Sequence, residues 1–304
     1  MRNFPPMILS ESLYHALEAS LKNLEQQRPS IQSVIPIAGG DVNRAYKIQT
    51  SKGNYFVKVN SHPMATRMFL AESNGLDRLR DASGPAHVPQ TFFTGQAQGE
   101  SFLLMRWINA GDKHGPDQQE ALGRLLASVH RRQADTYGLD QDNFIGPLPQ
   151  HNTPTANWDD FFIGQRLQRQ LELAEQVLDG TDLWKQFDFL FSRLANLYPA
   201  ESPSLLHGDL WSGNYLVDQT GTPLLIDPAV YYGHREVDIA MTRLFGGFSE
   251  RFYTAYNEVY PLQHGWEKRV DLWNLYPLLV HLNLFGDAYI PAIRNNLQRF
   301  IRSQ

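Results

Sequence analysis

The stretch that decides the fold is His-Gly-Asp-Leu-Trp-Ser-Gly-Asn, at residues 207–214. Asp209 and Asn214 lie five positions apart in it, and Asp227 follows 18 positions after Asp209 within Leu-Leu-Ile-Asp-Pro. A carboxylate can accept a proton from a hydroxyl group, and carboxylate and amide oxygens are ligands that suit Mg²⁺. A polar turn between two buried strands could contain the same residues, so the rest of the sequence has to decide between these interpretations.

The spacing of these three residues is typical of phosphoryl transfer. Protein-kinase catalytic loops follow the pattern His-x-Asp-x-x-x-x-Asn, and a second metal-binding Asp lies on a later segment. In that arrangement the first Asp faces the attacking hydroxyl, while the Asn and the later Asp hold magnesium against the phosphates. The spacing therefore favours a phosphotransferase over a polar turn.

Composition narrows the class of protein further. The chain has 304 residues, of which 42% are apolar and 19% charged, so it can bury a sizeable core. A net charge of −5 gives no basic footprint for nucleic acid, and the absence of cysteine excludes disulfides, thiolate zinc sites and cysteine nucleophiles. Because no segment approaches ~18 uninterrupted apolar residues, we expect a cytoplasmic protein without a membrane or nucleic-acid partner.

The first third of the chain is rich in predicted strands. Hydrophobic periodicity predicts helices at residues 8–27 and 65–80 and strands at 31–38, 45–49, 55–59, 90–93 and 101–107. Ser10 or Ser12 could cap the first helix, and Lys52-Gly53-Asn54 resembles a hairpin turn. A linker at 109–112 ends this part. We therefore predict a small strand-rich N-terminal lobe over residues 1–108, with an N-terminal helix.

Beyond the linker, helices dominate the prediction. They are expected at residues 117–132, 158–179, 181–198, 236–245, 249–260, 266–284 and 289–301, with a short β segment at 205–226. That β segment carries the opening motif. Residues 109–304 are therefore predicted to form a larger, mainly helical C-terminal lobe, and the whole chain an α+β, two-lobed nucleotide-binding architecture.

The first lobe contains a candidate for each part of a phosphate site. Gly39-Gly40-Asp41-Val42-Asn43 lies between two strands, and its glycines would let backbone N–H groups approach phosphate oxygens, although an ordinary hairpin turn would look the same. Lys58 lies among apolar residues in a strand and would be costly to bury without an anion, unless it points outward from an edge. Glu72 follows 14 positions later and could pair with Lys58 or stay solvated.

These motifs together resemble the fructosamine-3-kinase (ketosamine-3-kinase) family, and the resemblance runs from about residue 10 to the end. Beyond the opening octapeptide it rests on residues 39–43, 56–60, 142–146, 150–152, 158–162, 226–229, 232–236 and 244–248. The resemblance implies a protein-kinase-like fold shared with aminoglycoside and choline kinases. It also implies ATP-dependent phosphorylation of the 3-hydroxyl of ketosamines, an activity that promotes deglycation.

The resemblance also implies roles for individual residues. Asp209 would be the catalytic base, Asn214 and Asp227 would bind Mg²⁺, and Lys58, oriented by Glu72, would hold the phosphates of ATP. Gly39, Gly40, Asp41 and Asn43 would belong to the phosphate loop. Residues 103–107, including Met105, Arg106 and Trp107, would contact adenine through the backbone. Two features depart from the family pattern: an acidic residue is expected near Arg106, and the phosphate loop lacks the cysteine of some relatives.

The substrate side is expected to involve residues close to the catalytic loop. Trp211 could pack its indole on a sugar ring, or it could fill the core beside the loop. His234 and Glu236, with Arg235 between them, could contact substrate or lead into a helix cap. Asp238 is expected to support the catalytic loop from the next helix, and His281 to be a satisfied core histidine. Trp158, Phe161 and Phe162 have helical spacing that suggests core.

The predicted substrate is a small ketosamine or a glycated protein lysine, with fructose, ribulose or a smaller ketose as the sugar. A second interpretation is an aminoglycoside- or choline-type kinase on the same fold, although those relatives vary at the positions of Trp211 and Ser212. A third is a kinase-like binding module without activity. The joint presence of Lys58, Glu72, Asp209, Asn214 and Asp227 argues against the third.

Overall fold

The computed structural model describes residues 9–25, 31–38 and 42–301. Contacts between residues divide the chain into two units, with the boundary between Ala110 and Gly111. In the described part of the chain, no helix is long and apolar enough to cross a membrane.

The described residues of the first unit form one antiparallel sheet and two α-helices. The helices are α1 (Glu11–Glu25) and α2 (Ala65–Ser83), and the strands are β1 (Ile31–Ile37), β2 (Arg44–Thr50), β3 (Asn54–Asn60), β4 (Thr91–Ala97) and β5 (Glu100–Arg106). The sheet order is β1-β2-β3-β5-β4, and all of its pairings are antiparallel. Every predicted element of this unit is present, with ends that shift by a few residues; the predicted helix continues over 26–27, which lie outside the described residues.

Local sequence explains how this unit begins. The Ser10 side chain accepts a hydrogen bond from the Leu13 backbone N–H at 3.3 Å, so Ser10 caps α1 as the sequence allowed. Leu13, Leu17 and Leu21 recur on one face of α1 and are fully buried in the core that also contains the sheet residues. The helical spacing of apolar residues therefore fixes α1 on the sheet.

The second unit is mainly helical. Its helices are α3 (Pro116–His130), α4 (Trp158–Phe161), α5 (Gln168–Leu173), α6 (Glu175–Leu178), α7 (Leu183–Phe191), α8 (Glu236–Leu244), α9 (Glu250–Val259), α10 (Val270–Trp273), α11 (Leu275–Phe285) and α12 (Ile290–Ile301). Three antiparallel strand pairs join β6 (Asn143–Ile145) to β7 (Leu148–Gln150), β8 (Ser204–Leu206) to β11 (Tyr231–Gly233), and β9 (Tyr215–Val217) to β10 (Pro223–Leu225).

Three long helices were predicted as continuous, but in the structure two of them are interrupted and one is shorter. Between α4 and α5 the backbone forms a π-helix over Phe162–Leu167, which interrupts the α-helix. The helix predicted at 181–198 ends at Phe191. The helix predicted at 266–284 is interrupted after Trp273, since Pro277 lacks the N–H that would bond to the Trp273 carbonyl. Strands β6, β7 and β11 were not predicted.

Candidate active site

A buried carboxylate, that of Asp238, holds the backbone of the catalytic loop in place. Residues 207–209 follow β8, and Asp238 in the first turn of α8 accepts hydrogen bonds from the backbone N–H groups of His207, at 2.7 Å, and Gly208, at 2.9 Å. Gly208 has φ +82°, and a Cβ there would collide with the carbonyl oxygen of Ala229. The predicted supporting role of Asp238 is confirmed, and glycine at 208 is a steric requirement of this loop.

Asp238 is itself fixed by a buried histidine. His130 Nε2 lies 3.0 Å from Asp238 Oδ2, and His130 Nδ1 lies 2.8 Å from the Tyr256 hydroxyl. Burial lowers the pKa of His130, so the ring is neutral at pH 7 and Nε2–H donates to the carboxylate. Burial, the largest single influence, would raise the pKa of Asp238, but the hydrogen bonds from His130 and the Gly208 backbone and the electrostatic influence of the two nearby histidines together hold the pKa below its usual range. The loop therefore rests on an ionised carboxylate.

Asp209 and Asn214 are in direct contact. Asn214 Nδ2 donates to the Asp209 backbone carbonyl and to Asp209 Oδ2, each at 2.8 Å. Burial raises the pKa of Asp209 to about 7; the charges of Asp227 and Asp238 add to this, and the Asn214 hydrogen bond opposes it. A carboxylate with a pKa near neutrality is well matched to accepting a proton from a hydroxyl group.

Asp227 lies beside this pair in an unusual backbone conformation. It follows β10 and has φ +54°, a left-handed conformation that non-glycine residues adopt rarely and often at functional sites. Its neighbour Ile226 donates its backbone N–H to the Asn214 carbonyl at 3.1 Å, and His207 Nε2 lies 2.9 Å from the Ile226 carbonyl. These contacts bring Asp209, Asn214 and Asp227 into one region of the second unit.

The oxygen atoms of Asn214 and Asp227 suit magnesium. The described residues contain no cluster of three or more His, Cys, Asp or Glu side chains that could hold a metal ion. Magnesium in phosphotransferases needs no such cluster, because one or two protein ligands, phosphate oxygens and water complete its octahedron. One amide oxygen and one carboxylate therefore fit Mg²⁺ bound together with a nucleotide.

Trp211 lies on the surface of the catalytic loop. Its side chain is 40% exposed, and its ring covers Gly213 so closely that a Cβ at 213 would collide with it. The ring is therefore not a core filler, which removes one of the two interpretations of Trp211. The loop is also held by Lys113, whose Nζ donates to the Ser212 carbonyl at 2.8 Å.

A small cavity opens directly beside Asp209. Its volume is about 20 Å³, and its other walls include Ile145, Met241, Tyr276 and His281. His281 Nδ1 lies 2.7 Å from the Pro277 carbonyl, so it is a satisfied histidine as expected, yet its ring also reaches this cavity. These wall residues were not predicted from the sequence, in which the signal was the presence of polar side chains within the apolar segment 272–284.

His234 and Glu236 are corrections to the predicted substrate contacts. His234 has no exposed surface, and its ring stacks on Trp273 with centroids 5.0 Å apart. Glu236 is 1% exposed and accepts hydrogen bonds from Arg269, at 2.6 and 2.8 Å, and from the Trp273 indole at 2.9 Å. Side chains without surface cannot touch a substrate, so both serve the core. Arg235 is likewise buried, in an ion pair with Glu201.

In the first unit, Lys58 and Glu72 form a buried ion pair. Lys58 Nζ lies 2.7 Å from Glu72 Oε1, and the two side chains are 7% and 13% exposed. At the end of β3, Asn60 Nδ2 donates to the Val42 carbonyl at 3.1 Å and to Asn43 Oδ1 at 2.8 Å. The end of the predicted phosphate loop is thus attached to the strand of Lys58. Gly39, Gly40 and Asp41 lie outside the described residues.

The predicted adenine segment lies at the end of β5. Met105 is buried, while Arg106 is exposed and donates its guanidinium to Gln90 Oε1 at 2.8 Å. The Trp107 indole N–H donates to Asn109 Oδ1 at 2.8 Å, and Lys47 Nζ lies 4.6 Å from the Trp107 ring centroid. The Arg106 side chain thus contacts Gln90, which immediately precedes β4.

The fold and the catalytic loop define a protein-kinase-like phosphotransferase architecture. The chain matches the crystal structure of a thermostable aminoglycoside phosphotransferase APH(4)-Ia variant in ternary complex, with a TM-score of 0.63 over 95% of this chain and 99% of the other. At 18% identity this likeness shows the fold alone.

The chain belongs to the fructosamine kinase family, whose family model matches residues 13–303. A candidate ketoamine kinase of Enterococcus faecium is 40% identical, over 88% of this chain and 95% of the relative. A chloroplastic protein-ribulosamine 3-kinase of Oryza sativa is 38% identical, over 91% of this chain and 81% of the relative. The crystal structure of a candidate fructosamine-3-kinase from Thermobifida fusca matches with a TM-score of 0.84 and 33% identity, over 95% and 99% of the two chains.

Proposed function

We propose that this chain is an ATP-dependent kinase that phosphorylates the 3-hydroxyl of ketosamines, such as fructosamine or ribulosamine adducts of amines or protein lysines. The observation that carries the proposal is the contact of Asp209 with Asn214 beside Asp227, in a chain of the fructosamine kinase family. The names of the ketoamine and ribulosamine kinase relatives support the substrate class. The reaction would serve deglycation and repair of proteins.

Asp209 would bind and orient the sugar hydroxyl and accept its proton. The hydroxyl oxygen then forms a bond to the γ-phosphorus of ATP, the bond to the β-γ bridging oxygen breaks, and ADP leaves. Bound Mg²⁺ would neutralise charge on the phosphates. Asn214 and Asp227 would supply its protein ligands, and Asp238 keeps the loop in position through two backbone hydrogen bonds.

The nucleotide is proposed to use residues of the first unit. Lys58, oriented by its 2.7 Å contact with Glu72, would hold phosphate oxygens of ATP. Backbone N–H groups of the loop with Gly39, Gly40, Asp41 and Asn43 would cover the phosphates. The backbone of Met105, Arg106 and Trp107 would contact adenine.

The sugar is proposed to lie near Trp211. Its indole is exposed and held in place by the loop, so it offers a rigid apolar surface to one face of a sugar ring.

A panel of acceptors tests the proposal. The purified protein is incubated with ATP and Mg²⁺ and, separately, fructosyl-, ribulosyl- and erythrulosyl-lysine, choline and an aminoglycoside, and the product is mapped by phosphorus NMR. Phosphate on the 3-oxygen of a ketosamine is expected, and Asp209→Asn should bind ATP without turnover. Transfer only to choline or the aminoglycoside would favour the alternative kinase class. Absence of transfer to every acceptor would favour a binding module.

A further inference from the structure

The cavity beside Asp209 is large enough for one small polar group. Its volume of about 20 Å³ exceeds the ~10–15 Å³ that a water-sized group needs. Ile145, Met241, Tyr276 and Val280 supply mostly apolar walls, so apolar side chains bound the space next to Asp209 that a small group can occupy. Asp209 is the group proposed to orient the reacting hydroxyl. A pocket beside it therefore limits the size of the acceptor's substituent next to that hydroxyl.

One wall of the cavity is held by a single hydrogen bond. The Tyr276 hydroxyl donates to Gln150 Oε1 at 2.7 Å, and both side chains are buried. Burial raises the pKa of Tyr276 well above its usual value, so the hydroxyl keeps its proton and remains a donor. The guanidinium of Arg166 lies 5.6 Å from the centroid of the same ring. The ring is therefore held at its hydroxyl by Gln150 and approached by Arg166.

Gln150 is in turn fixed by the loops of the candidate active site. Its Nε2 donates to Asn143 Oδ1 at 2.7 Å and to the Ala229 carbonyl at 3.1 Å. Ala229 lies two positions after Asp227, and its backbone N–H donates to the His207 carbonyl at 2.9 Å. The orientation of Gln150 is thus determined by the same backbone that carries Asp227 and Asp209.

A single hairpin supplies both the anchor and a second wall. Asn143 pairs with Gln150 across β6 and β7, and Ile145 at the end of β6 lines the cavity. Asn143 also donates its side-chain amide to the Val230 carbonyl at 2.8 Å. Segments 142–146 and 150–152 therefore shape the cavity in two ways. Ile145 lines it directly, while Gln150 acts through its hydrogen bond with Tyr276.

We propose that Gln150 and Tyr276 are specificity-determining residues: their hydrogen bond fixes the cavity beside Asp209, and the cavity selects acceptors by the size of the group next to the reacting hydroxyl. This inference rests on the proposed ketosamine kinase activity. Gln150 is a positioning residue that acts through Tyr276, while the Tyr276 ring forms the wall itself.

The test compares acceptor selectivity in Tyr276→Phe and in the wild-type protein. Removing the hydroxyl leaves Gln150 Oε1 without its donor and loosens the ring. The ratio of kcat/KM between the best and second-best of fructosyl-, ribulosyl- and erythrulosyl-lysine should fall about fivefold, which is the factor that one hydrogen bond of ~1 kcal/mol represents. KM for ATP should stay within twofold. Gln150 acts through Tyr276, so the two substitutions should not be independent. The fold-change in selectivity of the double variant Tyr276→Phe/Gln150→Met, relative to wild type, should be smaller than the product of the fold-changes of the two single variants.

Tyr253→Phe is the matched control, since it also deletes a buried tyrosine hydroxyl, which contacts Thr242 at 3.0 Å outside the cavity lining. It should leave selectivity unchanged. If Tyr276→Phe fails to fold, Ile145→Val enlarges the cavity at a different wall residue and should lower the same ratio. Unchanged selectivity in a folded, active variant would overturn this inference alone. A wild-type protein inactive on every ketosamine would overturn the proposed function and this inference with it.

Discussion

Asn214 donates hydrogen bonds from one amide nitrogen to both the backbone carbonyl and the carboxylate of Asp209, each at 2.8 Å. The nitrogen therefore fixes the proposed base, while the oxygen of the same amide is the atom suited to a metal. The two roles share one planar group, so the position of the base and that of the metal are linked by the geometry of a single side chain.

Replacing Asn214 by alanine should therefore damage both roles. We expect kcat to fall by at least ~10²-fold, the range seen when an oriented acid or base is lost, and the Mg²⁺ concentration for half-maximal rate to rise. Steady-state kinetics over a magnesium titration measures both values. A variant with normal kcat and a normal magnesium dependence would contradict the assignment of Asn214.

The raised pKa of Asp209 predicts a pH-dependent rate. A base must be ionised to accept a proton, so kcat/KM should fall about tenfold per pH unit below a pKa of about 7. Positive charge bound at Asn214 and Asp227 favours the ionised form, so the inflection should move to lower pH as Mg²⁺ is increased. Profiles of kcat/KM at low and saturating Mg²⁺ check this, and an inflection that ignores magnesium would contradict it.

The same pKa predicts that Asp209→Asn stabilises the metal-free protein. Because the folded state holds its proton up to about pH 7 and an unfolded aspartate releases it near pH 3.8, the wild-type protein loses stability as pH rises between these values. The asparagine variant has no such loss. Above pH 7 its free energy of unfolding should exceed the wild-type value by up to ~4 kcal/mol, and the difference should shrink towards pH 4. Denaturant unfolding at several pH values provides the measurement.

The sequence predicted the site residues that lie on one loop or on consecutive secondary-structure elements. Asp209 and Asn214 lie on one loop whose spacing carries the chemistry, and the support from Asp238 could be inferred because Asp238 lies in the first turn of the next helix. Lys58 and Glu72 were found by order along the chain, since a strand and the following helix place them within reach of each other.

The sequence did not predict features that depend on distant contacts. The walls of the cavity come from Ile145, Met241 and Tyr276, which only packing brings together, and strands of three residues such as Asn143–Ile145 are too short to show a period. The π-helix was not predicted, because the buried positions Trp158, Phe162 and Arg166 keep the four-residue spacing of an ordinary α-helix. Glu236 looked functional because it is charged and follows a motif, but Arg269, 33 positions later, pairs with it.

The structural role of Glu236 in the core can be tested by substitution. Glu236→Gln keeps the volume and an oxygen for the Trp273 indole but leaves the Arg269 guanidinium without its carboxylate. Breaking a buried ion pair on one side costs ~3–5 kcal/mol, so thermal unfolding should begin several degrees lower. Glu120→Gln is the control, because its pair with Arg251 is exposed and contributes at most ~1 kcal/mol. At a temperature where Glu236→Gln remains folded, its KM for the ketosamine should stay within twofold of wild type, since a side chain buried against Trp273 contacts no acceptor. A large rise in that KM with an unchanged melting temperature would restore the substrate contact that the sequence suggested.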